Sequence, residues 1–363
     1  MRKGTKAVAI EAGWTMGVDL GDRISRTCVL DADGVVVSEG RVATTPSEIE
    51  RYFARLPRLR VAMEAGTHSP WVSRLVAKCG HEAIVGNPRR MRSISASLQK
   101  SDRVDAEQIA RLARSDLKFL SPITHRSQEA QIDLARIHAR DALVRTRTLL
   151  IQHVRCTLKS CGVLVSKFSS DAFPKRMAPQ IPPDLQPALT PALEIVAELN
   201  TRIRQFDHDL EQLADERYPV THAMREIAGV GALTATAFVL GVADASRFKK
   251  SREVGAYFGL TPRRKQSGAS DPQMRITKAG NSLVRRLLVG AGHYILGPFG
   301  PDCDLRRVGV KIAARGGKSA KKRAVIAVAR KLAVLLHRLW VSAKPYEPLR
   351  ARAHAPSPLT ASA

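Results

Sequence analysis

The chain has 363 residues, 44% of them hydrophobic, so it can bury a core across two or three domains, and global disorder is excluded. Its formal net charge is +26, from 59 Lys and Arg against 33 Asp and Glu. Self-repulsion on that scale adds nothing to folding and points to a polyanionic partner, and nucleic acid fits because neutralising its phosphates releases counterions.

Residues 1–13 carry charge and alanine but no apolar run long enough for a signal peptide. No later stretch approaches the ~20 apolar residues of a spanning helix, so no membrane contact and a cytoplasmic location are expected. The run Met16-Gly17-Val18-Asp19-Leu20-Gly21 predicts a strand with one acid set in it. Thr27 to Asp31 and Val35 to Val37, flanking Ala32-Asp33-Gly34, predict a hairpin. A helix follows over 47–56, then a strand over 60–65 that carries Glu64, a helix over 71–79 stopped by Gly80, and a strand over 83–85 ended by Asn87-Pro88. Strands alternating with helices predict an α/β domain to about residue 125.

Residues 128–160 and 190–216 have helical periodicity, with a Pro-rich loop over 174–191 between them. Ile137, Val144, Ile151 and Leu158 recur every seven residues, and Val196, Leu199, Ile203, Phe206, Leu210 and Leu213 step by three or four. Two readings remain open for this pair: a helical hairpin within the chain, or a coiled-coil arm that oligomerises it. Residues 219–342 form a mostly helical, basic unit. Between 306 and 331 there are ten Lys and Arg and no acid, yet Val325, Val328, Leu332, Leu335 and Leu339 still mark a core stripe. Pro345, Pro348, Pro356 and Pro358 mark 343–363 as a tail. The five cysteines, Cys28, Cys79, Cys156, Cys161 and Cys303, form no CxxC pair and are expected to be reduced packing residues.

Four acids stand out. Asp19 and Glu64 interrupt or end apolar strands, where a charge is costly unless paired or bound to a cation. Asp102 and Asp105, three apart at a helix start, fall on one helical face. Each alone has an ordinary reading: Asp102 as an acid favoured by the helix dipole, Asp19 as a turn residue. Together they could surround two Mg²⁺ ions about 4 Å apart, which activate an attacking oxygen and stabilise a leaving one in phosphodiester chemistry. Mn²⁺ is the alternative ion.

The order of strand Asp, hairpin, strand Glu, basic loop and D-x-x-D resembles a RuvC/RNase H-like nuclease core. More specifically, Gly17-Val18-Asp19-Leu20, Met63-Glu64-Ala65-Gly66-Thr67 and Ser101-Asp102-Arg103-Val104-Asp105-Ala106 resemble the DEDD transposases of bacterial insertion sequences, the IS one-hundred-and-ten group, which includes the Piv-like recombinases. The basic stretch Asn87-Pro88-Arg89-Arg90-Met91-Arg92 sits where that group has a similar one, and the likeness runs over about residues 14–340. It implies an RNase H/RuvC-like α/β catalytic domain (14–127), a long helical coiled-coil linker (128–218) and a mostly α-helical basic transposase domain (219–342). An N-terminal extension (1–13) and a disordered tail (343–363) flank them.

In the third segment, Ile227 to Ala235 reads as helix, Gly-x-Gly turn and helix, a helix-hairpin-helix-like element. Gly229 and Gly231 would there seat a phosphate on free backbone N–H groups; a tight helix–helix turn also explains them. The stretch from Gly255 to Ser270, followed by Arg275-Ile276-Thr277-Lys278, resembles the family's C-terminal domain, whose nucleophilic serine maps to Ser267, with Ser270 in reserve. Arg263, Arg264 and Lys265 beside it suit a phosphate and an alkoxide, and Gly268 allows close approach. Phosphate contacts are expected from Arg89, Arg90, Arg92, Lys100, Arg263, Arg264, Lys265, Arg275, Lys278, Arg285 and Arg286. No general base lies near Ser267 in sequence, so activation is expected from the Mg²⁺ cluster of the same or a neighbouring subunit.

The resemblance further implies dimers or tetramers, a nucleoid-associated bacterial enzyme and a non-coding guide RNA from the element. The competing enzyme is a metal-dependent nuclease or junction resolvase that uses water and no serine. A sugar-kinase-like phosphotransferase would need a second Asp-Gly phosphate loop, which this chain lacks, and a non-catalytic binder would not need all four acids and the serine.

Overall fold

The structure is a computed structural model that describes residues 10–91, 102–267, 272, 274–317 and 319–349. The chain divides into two compact units, residues 1–128 and 129–363. The first contains β1 (Thr15–Asp19), β2 (Ile24–Leu30), β3 (Val36–Ala43), α1 (Pro46–Phe53), β4 (Arg60–Glu64), α2 (Ser69–Lys78), β5 (Glu82–Gly86), α3 (Pro88–Met91), α4 (Asp102–Ser115) and α5 (Leu117–Leu120).

The five strands form one sheet in the order β3-β2-β1-β4-β5. β1, β2 and β3 pair antiparallel, whereas β4 runs parallel to β1, and β5 parallel to β4. The predicted Asp-Gly turn joins β2 to β3. Asp31 Oδ1 accepts from the backbone N–H of Asp33 and of Val35, both at 2.9 Å, and Gly34 takes a φ of +84° that a side chain would disfavour.

Alternation along the strands splits the side chains between two layers. Met16, Val18, Val61 and Met63 pack with Ile49 and Phe53 of α1 and Val72 and Val76 of α2. Fully burying a side chain such as Met63 stabilises the fold by roughly 1.5–3 kcal/mol. On the other face Cys28 and Leu30 meet Ala106 and Ala110, and Ala62 meets Ile109 and Ala113, all from α4. The first unit is therefore a three-layer α/β/α arrangement.

The second unit is helical: α6 (Gln128–Ser160), α7 (Phe173–Met177), α8 (Gln186–Arg217), α9 (Thr221–Arg225), α10 (Ala232–Val242), α11 (Glu253–Tyr257), α12 (Ser282–Leu296), α13 (Asp304–Ala313) and α14 (Ala320–Ser342). α6 and α8 lie antiparallel. Arg217 binds Asp133 at 2.9 Å, Arg140 binds Asp207 at 2.7 Å and Arg147 binds Asn200 at 2.8 Å, so partners fall along one helix as they climb along the other. Ile137, Ile151 and Leu158, and Val196, Ile203, Leu210 and Leu213, are buried within the chain, which gives the seven-residue pattern an intramolecular covering.

α8 begins at Gln186, inside the stretch expected to be a Pro-rich loop. Pro187 falls in its first turn, where no N–H partner is needed, and Pro191 forfeits a single bond one turn later. α10 is buried along nearly its whole length, which explains its lack of a polar face, and it forms the centre of the second unit's core. The cysteine expectation needs correcting: all five are free, but only Cys28 and Cys303 are buried, Cys79 is half-buried, and Cys156 and Cys161 are exposed. Among the described residues no helix is long and apolar enough to cross a membrane.

Candidate active site

The parallel strands β1 and β4 pair Val18 with Met63, so the next residues, Asp19 and Glu64, stand side by side at their carboxyl ends. Because Met16, Val18, Val61 and Met63 fill the α1/α2 layer, alternation turns Gly17, Asp19, Ala62 and Glu64 to the α4 face. Both carboxylates are half-buried.

α4 crosses this face antiparallel to β1. Near its C-terminal end, Arg111 Nη1 donates to Gly34 O at 3.2 Å and Arg114 Nη2 to Ala32 O at 2.5 Å, at the hairpin end of the sheet. Gly17 lies under Ala106 and Ala110, so closely that a Cβ there would overlap the Ala106 carbonyl oxygen. The first turn of α4, with Asp102 and the half-buried Asp105, is thereby directed to the edge that carries Asp19 and Glu64. Strand ends and helix start bring together acids 86 positions apart in sequence.

The donor set is all carboxylate oxygen, which suits a hard cation such as Mg²⁺. Among the described residues no three His, Cys, Asp or Glu side chains stand close enough to hold a metal ion, and the Asp102 side chain lies outside the described set. Acids therefore gather at one edge without forming a closed ligand shell.

Two histidines near this edge escape sequence reading. Trp71 Nε1 donates to His68 Nδ1 at 3.2 Å, which leaves Nε2 of the neutral ring to donate to Asp22 Oδ1 at 3.3 Å. Asp22 lies in the β1–β2 turn and His68 just before α2, so this relay ties together the loops that follow Asp19 and Glu64. Behind it, the buried Ser69 hydroxyl donates to Gly66 O and lies 2.9 Å from His125 Nε2. Burial, and then the nearby Arg74 and Arg126 guanidinium groups, hold the His125 imidazole below its ordinary value. None of these residues shows a periodicity or spacing that would single it out.

Arg89 and Arg90 fall in α3 with side chains outside the described set, and Arg92, Lys100 and Ser270 lie outside the described residues. In the second unit, Pro262 bridges Ile276, Arg263 N–H donates to Arg275 O and Thr277 N–H to Thr261 O, which makes a hairpin stem around the segment that holds Ser267. Ser267, Arg263, Arg264, Lys265, Arg275 and Lys278 are all exposed. The base of this hairpin is tightly built. Gly259 and Gly280 both have φ of +67°, and a Cβ on Gly259 would strike the Ala279 backbone while one on Gly280 would strike the Tyr257 carbonyl oxygen at the end of α11.

Arg285 Nη1 donates to Ala279 O at 2.6 Å and to Phe258 O at 3.1 Å, so this residue holds the hairpin base rather than standing open to a phosphate. Arg286 is paired with Asp141 at 2.8 Å. Gly229, at φ +87°, packs against the Tyr294 ring, and Gly231 caps α10 in an extended conformation with open space around it.

Comparison with known proteins matches residues 16–162 to a family model described as Transposase, of the DEDD IS110 group, and residues 221–296 to the model "Transposase IS116/IS110/IS902 family". The chain is 30% identical over 307 residues to a putative transposase, y4qE, of Sinorhizobium fredii, covering 79% of this chain and 73% of that one. It is 29% identical over 344 residues to the transposase for insertion sequence element IS1111A of Coxiella burnetii, covering 91% and 90%. It is 22% identical over 309 residues to the pilin gene-inverting protein of Moraxella bovis, covering 82% and 85%.

Proposed function

Because the chain belongs to the IS116/IS110/IS902 family of transposases, we propose that it cuts and rejoins the DNA of an insertion sequence with Asp19, Glu64, Asp102 and Asp105 as metal-holding carboxylates and Ser267 as nucleophile. The observation that carries the first half is the convergence of β1, β4 and the start of α4 at one sheet edge. The strand order β3-β2-β1-β4-β5, with its antiparallel and parallel halves, supports a RuvC-like reading of residues 14–127. Residues 128–218 then serve as linker and 219–342 as transposase domain.

Mg²⁺ bound by the four acids would supply Lewis-acid stabilisation of charge on the reacting phosphate. The chain's own groups do the rest. Ser267 Oγ forms a bond to phosphorus while the displaced DNA oxygen leaves as a hydroxyl, so the cut end stays attached through a phosphoester that a second DNA hydroxyl can reverse. Arg263, Arg264 and Lys265 neutralise the phosphate that Ser267 approaches, and Arg275 and Lys278 hold flanking phosphates. Gly229 and Gly231 present α10 to the backbone in the same sense. The exposed cations suit a guide RNA as well as DNA, and the family resemblance favours a dimer or tetramer acting at the bacterial nucleoid.

The decisive experiment is a denaturing gel for a covalent protein–DNA adduct, formed with Mg²⁺, element-end DNA and its flanking transcript. The adduct is expected in wild type and lost in Ser267→Ala, and also lost in Glu64→Gln. Cleavage that needs Glu64 but ignores Ser267, with no adduct, would leave a water-using nuclease in place of the serine recombinase.

A further inference from the structure

The second unit contains a groove of about 2030 Å³, well above the roughly 300–1,000 Å³ of a small-molecule cleft. α14 contributes much of its lining: Lys322, Ile326, Arg330, Val334 and Arg338 follow at four-residue intervals, so cation and aliphatic side chains alternate turn by turn along one face. The stem of the Ser267 hairpin contributes Met274, Arg275, Ile276 and Lys278. α13 and the segment from Lys344 to Pro348 complete it. That segment is pinned by a bond from Asp304 N–H to Pro348 O at 2.8 Å and by Tyr346 N–H to Glu226 Oε2 at 3.2 Å. Among the described residues, ten Lys and Arg line the groove against two carboxylates, Asp304 and Glu347.

We propose that this groove is a track for single-stranded DNA leading to the Ser267 hairpin, an inference that rests on the recombinase reading above. The charge calls for a polyanion, and the size for a polymer. The aliphatic residues between the cations decide which polymer. A duplex keeps its base faces stacked inside and offers this surface only sugar and phosphate, and inorganic polyphosphate has no apolar face at all. An unpaired strand presents both a charged backbone and the apolar faces of its bases. Residues 349–363 of the chain itself carry two Arg and no acid, so they do not complement the groove. The track shares Arg275 and Lys278 with the hairpin, which places a strand end within reach of the segment that holds Ser267.

The test is fluorescence anisotropy of the full chain with labelled oligothymidine, with a duplex of the same length, and with inorganic polyphosphate as competitor, across a salt series. Two variants are compared: Lys322→Ala/Lys331→Ala/Arg338→Ala, and Ile326→Thr/Val334→Thr, both with thermal unfolding as a check on folding. The triple variant is expected to weaken oligothymidine binding at least 10-fold and to flatten the log–log salt slope by about 2, at ~0.7 per phosphate lost from a single strand. The threonine pair should weaken oligothymidine binding while leaving polyphosphate binding unchanged.

Folded variants that bind oligothymidine like wild type would overturn the track but leave the recombinase reading standing. Wild type that binds neither DNA form would overturn both. Equal losses for oligothymidine and duplex would make the groove a plain anionic-backbone surface. Displacement of oligothymidine by an acidic amphipathic peptide at lower concentrations than unlabelled oligothymidine needs would reassign it to a protein partner.

Discussion

Gly17 and Ala106 meet backbone to backbone, with no room between strand and helix for a single methyl group. That contact sets how closely α4 lies on β1, and so where Asp102 and Asp105 stand relative to Asp19. Gly17→Ala is expected to destabilise the first unit by about 1–3 kcal/mol, as overpacked sites do, and to reduce DNA cleavage more than that loss of folded protein explains. Urea unfolding beside a cleavage assay checks it. Unchanged cleavage per folded molecule would mean the helix position does not govern the acids.

Asp19→Asn, Glu64→Gln and Asp105→Asn each keep side-chain shape and remove a charge from the shared edge. Each should lower Mg²⁺-dependent cleavage by more than the 10–100-fold typical of groups that only support a ligand, while DNA binding persists. Isothermal titration with Mn²⁺ should show weakened metal binding in the same three variants. Full metal affinity in any one of them removes that residue from the ligand set.

The joint between α6 and α8 offers a test of stability alone. Asp133 is 0% exposed and accepts from Arg217 Nη1 at 2.9 Å and from the Tyr218 hydroxyl at 2.7 Å. Arg217→Ala leaves that carboxylate buried with one donor fewer and should cost up to about 3 kcal/mol, reduced because the Arg217 side chain is 38% exposed and partly screened. Asp133→Asn should cost less, because Arg217 can turn to water. The reverse order in urea unfolding would mean that the joint is held by packing rather than by the ion pair.

Acid should weaken the first unit through His125. Its imidazole titrates below the ordinary 6.5 because burial and two guanidinium groups oppose the charged form. The stability tied to its neutral ring is therefore complete above about pH 6.5 and is lost as pH falls through the lower folded value. His125→Asn should flatten the stability–pH curve in that acid window. A variant that keeps the wild-type curve would assign the acid sensitivity to other groups.

Much of the fold was legible because its signals are local. The Asp33-Gly34 turn and the acid-ended strands each declare themselves within about ten residues and the seven-residue pattern within single helices, and the structure places elements at each of them. The start of α8 was misread because Pro191 looks like a stop, whereas Leu189 and Leu193 on either side of it are buried against Ile151, Val154 and Leu158 of α6. Arg285 illustrates a different limit. Its charge invites a phosphate, but two carbonyl oxygens from a hairpin that closes around it take its donors first. His68 and Trp71 became visible only once the sheet brought the β1–β2 turn beside the loop after β4. The four acids were legible as a set because the family resemblance joined them. Neither period nor spacing could show that α4 runs antiparallel to β1.

The late position of α4 has a consequence for synthesis. β1 leaves the ribosome first, but its exposed acid edge stays uncovered until some ninety further residues have emerged and α4 can settle on Gly17. A chain that stops before residue 102 carries Asp19 and Glu64 but lacks both remaining acids and the helix that seats them. If the four acids hold the metal as proposed, a prematurely terminated product cannot assemble that edge, and a genome that carries the gene is spared stray nicks from such fragments.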